Sequence, residues 1–137
     1  MEVKCELIGE LIMEAEEKPT GNRILADEKA EGSSGGQGTL LGKEVTIMVT
    51  GVLTPMPNGV MMTEGNALVM TSEGGVVMAK IGGIGWFTGK DLKTSARGAC
   101  YFMTNSPKLE RLNKIVGVYE RESDEMGNST VKVWAWK

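Results

Sequence analysis

The chain has 137 residues, 41% of them apolar and 24% charged, which is the balance of one ordinary globular domain spanning 1–137. A formal net charge of −3 supplies no basic stripe, so neither a nucleic acid nor an anionic membrane is expected as a partner. Histidine is absent, which excludes histidine metal sites, triads and general bases; no metal or other cofactor is expected, and any acid–base chemistry falls to Glu, Asp, Lys, Tyr or Cys.

The start, Met1-Glu2-Val3-Lys4-Cys5-Glu6, has no basic segment followed by an apolar run and does not read as a signal peptide. Cys5 and Cys100 are therefore expected as reduced, buried thiols of a cytoplasmic protein. The apolar pattern then has period two. Val3 to Ala15 alternates Val3, Cys5, Leu7, Gly9, Leu11, Met13 and Ala15 with Lys4, Glu6, Ile8, Glu10, Ile12 and Glu14, predicting a first strand that Pro19-Thr20-Gly21 ends. A short second strand is predicted over Asn22 to Ala30. Gly32-Ser33-Ser34-Gly35-Gly36-Gln37-Gly38 follows as a flexible loop; no phosphate-loop string or helix pattern accompanies its glycines.

The third strand is predicted from Lys43 to Leu53, before the turn Pro55-Met56-Pro57-Asn58-Gly59. Strands four (Val60 to Thr71) and five (Val76 to Phe87) form a hairpin across Ser72-Glu73-Gly74-Gly75. Glycines inside strand five, Gly82, Gly83 and Gly85, suggest the curvature that barrel closure needs. A sixth strand near Ala96 to Thr104 leads to Ser106-Pro107 and one helical turn. A final hairpin pairs Lys114 to Glu122 with Thr130 to Trp136. About eight antiparallel strands result, and these predict an all-β barrel, with a two-sheet β-sandwich as the alternative.

Tyr101-Phe102-Met103-Thr104, then Pro107, then Leu112-Asn113 resembles the C-terminal segment of prokaryotic β-barrel families of unknown function. More broadly, the chain resembles small barrels of the allene oxide cyclase and dirigent type. The resemblance implies a barrel, often oligomeric, whose interior can hold a small apolar molecule; it transfers no catalytic residue.

Strands four and five are apolar in both phases, so something is expected to cover their outer face, most simply a second subunit of a homo-oligomer. Five of the ten methionines, from Met56 to Met78, fall in or beside these strands as core or as an adaptable pocket lining. Glu64 is the candidate catalytic residue. A loop of two or four residues after Thr71 would place it inside, against Ala79, Ile81 and Gly83, whereas a three-residue loop would put it on one face with Lys80. Met62, Asn66, Arg97, Tyr101 and Tyr119 are the candidate ligand-binding residues beside it. Three functions remain open: a module binding a small apolar or amphipathic molecule, a cyclase or isomerase using a buried carboxylate, and an oligomeric structural protein with a filled core.

Overall fold

The structure, a computed structural model, describes residues 8–137; Cys5 and the Val3–Leu7 part of the expected first strand lie outside them. Eight strands follow in chain order: β1 (Leu11–Ile24), β2 (Ala30–Leu40), β3 (Lys43–Pro55), β4 (Val60–Thr71), β5 (Val76–Phe87), β6 (Thr94–Thr104), β7 (Val116–Ser123) and β8 (Ser129–Ala135). Each pairs antiparallel with the next, and β8 returns to β1, so the sheet closes and leaves no edge. The strands are steeply tilted. The paired row Met13, Val133, Tyr119, Gly98, Gly83, Thr63, Leu53 and Ala30 circles the barrel and meets β1 again at Ile24.

The closed barrel replaces the sandwich alternative. Two further expectations are corrected. β1 does not stop at Ala15 or at Pro19; it runs to Ile24, and the irregular stretch is a bulge between Pro19 and Gly21. The Gly/Ser segment is no loop but most of β2, paired along both sides with β1 and β3. The physical reason lies in the space beside it. A Cβ on Gly36 would sit 1.8 Å from the Glu16 carbonyl oxygen, and one on Gly38 would sit 2.0 Å from that of Glu14. Only glycine lets β2 crease this closely onto β1, so the composition of a flexible linker here serves curvature.

Inward-facing Val45, Ile47, Val69, Val77, Phe102 and Val133 fill one end of the barrel. The β6–β7 connection closes that end with a 3-10 helix over Pro107–Lys114, whose Leu109 and Leu112 are wholly buried. Each leucine contributes roughly 1.5–3 kcal/mol by leaving water. Asn113 fastens the plug: its Oδ1 accepts from the Thr104 amide at 2.8 Å, and its Nδ2 donates to the Thr104 carbonyl at 3.0 Å. Thr104 Oγ1 in turn donates to the Val76 carbonyl at 2.6 Å. The residues that carry the family resemblance, Phe102, Thr104, Pro107, Leu112 and Asn113, are thus the parts of a barrel plug.

Candidate functional site

Toward the other end the interior carries a polar cluster among apolar neighbours such as Ile81 and Ala96. Glu17, in phase with Met13 and Ala15 on β1, points inward with a side chain only 1% exposed. Arg121 of β7 faces the same interior, 25% exposed, and crosses β8 to place Nη2 2.8 Å from Glu17 Oε1. Ser34 of β2 completes the cluster. Its hydroxyl donates to Glu17 at 2.8 Å and accepts from Arg121 at 3.1 Å. Both ions thus keep hydrogen-bonding partners away from bulk water, as charges in such a place must.

Tyr119, two residues before Arg121 on the inner face, sweeps the opposite way around the wall. Its ring lies on bare backbone: a Cβ on Gly98 would meet Tyr119 Cε2 at 2.7 Å, and one on Gly83 would meet the phenol oxygen at the same distance. Burial pushes the Tyr119 phenol above its ordinary pKa, so it remains a hydrogen-bond donor across the physiological range. Thr63 Oγ1 lies beside that phenol, is buried, and makes no hydrogen bond of good geometry. Cys100 packs on the inner face nearby; burial raises its thiol to about 12 and keeps it an unreactive apolar group.

Glu17, Ser34, Arg121, Tyr119 and Thr63 therefore form a polar layer across the barrel. A broad groove of about 880 Å³, open to solvent, runs over the outer wall, where Glu16, Lys18, Gln37, Glu122 and Thr130 line it; Glu17 and Ser129 border it, and Ser34, Arg121, Tyr119 and Thr63 do not. The β1–β2, β3–β4, β5–β6 and β7–β8 turns all lie at this end, and each presents a large exposed apolar side chain at or beside it: Ile24, Met56, Phe87 with Leu92, and Met126.

The β4–β5 loop decides where the expected site residues fall. The Thr71 amide donates to the Gly75 carbonyl at 2.8 Å, so Ser72, Glu73 and Gly74 make a three-residue loop. Glu64 then pairs with Gly82 and Asn66 with Lys80. Glu64 lies exposed on the outer wall, not against Ala79, Ile81 and Gly83, and the reason for treating it as a catalytic carboxylate is withdrawn. Met62, Asn66, Arg97 and Tyr101 share that outer wall. Arg97 is engaged there, with Nη1 2.6 Å from Glu122 and its guanidinium 5.7 Å above the Trp86 ring. Of the expected set only Tyr119 is inside.

Glu17 and Arg121 carried a signal in the sequence: each is a charge in the apolar phase of its strand. Glu17 was masked by the neighbouring run Glu14-Ala15-Glu16-Glu17-Lys18, which also reads as helix. Ser34 carried none, because its segment does not look like a strand.

Three solved structures share this architecture. A conserved protein of unknown function from Rhodopseudomonas palustris superposes with a TM-score of 0.77 at 15% identity, over 92% of this chain and 94% of its own. A protein of unknown function from Clostridium acetobutylicum gives 0.79 at 11% identity, over 93% and 97%. A β-barrel-like protein from Acinetobacter baumannii AYE gives 0.78 at 15%, over 93% and 94%. Identities this low show a common barrel fold and no more. No family model and no curated protein matches the sequence.

Proposed function

We propose that the protein is a binding barrel whose open half takes a small amphipathic molecule, the polar part on the Arg121–Tyr119 layer and the apolar part toward the rim. The observation that carries this reading is the buried Glu17–Arg121–Ser34 cluster, whose Arg121 keeps a quarter of its side chain open to solvent. Arg121 has Nε and Nη1 free of hydrogen-bonding partners among the described residues. A cyclase or isomerase working through a buried carboxylate needs that carboxylate free to exchange a proton. The buried carboxylate here is Glu17, and its ion pair with Arg121 favours binding over proton transfer. A reducing cytoplasmic setting accords with the free Cys100 thiol.

The test is titration with 8-anilinonaphthalene-1-sulfonate, which joins an anionic head to an apolar ring system. Saturable binding at one site per chain is expected, weakened about tenfold or more by Arg121→Met. Absence of saturable binding, or binding indifferent to Arg121→Met, overturns the proposal.

A further inference from the structure

The outer wall of the barrel is divided. Across β7, β8, β1 and β2 it carries Glu120, Glu122, Lys132, Glu14, Glu16 and Gln37, the surface expected of a strand facing water. Across β4 to β6, with Met48 and Val52 of β3, it is mostly apolar, interrupted by Asn66 and, at its margin, by Arg97. Register aligns Met48, Leu68, Met78 and Met103 in one row over four strands, and Met103 is 68% exposed. Two rows further along stand Gly82 and Ala99, then Met62 and Ile84, with Tyr101 between. Single exposed apolar residues are ordinary; a contiguous wall of them is not.

In the middle of this wall are two charges of opposite sign, Glu64 on β4 and Lys80 on β5, one row apart. Among the described residues neither forms an ion pair, whereas Arg97 at the wall's margin is held by Glu120 and Glu122. We infer that this wall is the face through which two copies of the chain associate about a two-fold axis, each copy's Lys80 meeting the other's Glu64. The charge pattern selects the occupant. A lipid surface would bury both charges unpaired, and a partner of single charge would satisfy one and oppose the other. A two-fold copy satisfies both, since what one side presents the other receives. At about 4.8 Å between strands and about 6.8 Å between same-face residues, the wall projects roughly 500 Å². That is below the about 800 Å² per partner of a standard interface, so association in the micromolar range is expected.

Sedimentation velocity on the full chain, from about 1 to about 100 µM, reads the result. The wild type is expected to dimerise. Glu64→Lys and Lys80→Glu, both exposed changes that leave the fold intact, each weaken the dimer about tenfold or more. The double exchange restores it, and so does an equimolar mixture of the two single variants, in which every Lys finds a Glu across the interface. Met78→Lys, on the apolar row, weakens association in every background. A wild type that stays monomeric at the highest concentration overturns the inference, including one that instead floats with phosphatidylcholine vesicles. So does a dimer indifferent to both single charge reversals.

Discussion

The two ends of the barrel solve the same closure problem in opposite ways. At one end the Pro107–Lys114 helix lays Leu109 and Leu112 over a continuous apolar core and is fastened to β6 by Asn113. At the other, no helix among the described residues covers the interior. The polar layer of Glu17, Ser34 and Arg121 stands there instead, below turns with exposed apolar tips such as Ile24 at 80% and Met126 at 76%. A plugged end contributes stability and offers nothing to a ligand. An end that keeps a buried ion pair and an apolar rim gives up some stability for groups that can recognise one. The difference teaches that apolar packing and buried charge are assigned to separate ends of a single core.

Substitutions can break that division. The largest effect is expected at Gly98, where an added Cβ would lie 2.3 Å from the Gly82 carbonyl and against Tyr119. Gly98→Ala should cost about 3 kcal/mol or more in urea denaturation, whereas Gly82→Ala, which meets nothing within 4 Å, should be near neutral. At the plugged end Leu112→Ala should cost about 3 kcal/mol and leave probe binding at the far end unchanged. If both variants lose binding in proportion to stability, the two halves are not separate. Arg121→Met should cost about 2 kcal/mol, less than a fully buried pair, because the guanidinium retains some solvent while Glu17 is stranded.

A pH-dependent effect, absent at neutral pH, belongs to Cys100. Its thiol would ionise near 9.0 in the unfolded chain but is held neutral to about 12 in the barrel. A pKa raised by folding contributes stability that is complete below the unfolded value and is lost as pH rises toward the folded one. Stability should therefore fall between about pH 9 and 12, and Cys100→Ala should flatten that limb in alkaline thermal melts. Tyr119 acts in the same direction, so the limb should not vanish. The smallest effect on stability is expected at the rim: Met126→Ser and Leu92→Ser should change it by less than about 0.5 kcal/mol while weakening the dye several-fold. A rim that can be made polar without loss of binding would confine recognition to the polar layer.

The period-two pattern, the turn residues and the strand count were legible along the chain, and β4 and β5 begin and end where alternation and turns place them. The glycines expected to curve β5 do so at Gly83. What failed was local composition read without its neighbours. The Gly/Ser stretch lacks every strand propensity, and its pairing with β1 and β3 overrides that lack because the crease admits no side chain.

By itself the sequence determined an antiparallel all-β domain, because alternation and turn chemistry act over a few residues and need no distant partner. Which face of each strand looks inward was decided only in the tertiary structure. One residue more or less in the Ser72–Gly74 loop would put Glu64 and Lys80 on opposite faces of the wall, since side chains alternate with a period of two. The candidate site follows from the same cause. Glu17, Ser34 and Arg121 come from β1, β2 and β7, and only closure of the barrel brings β7 and β8 back against β1.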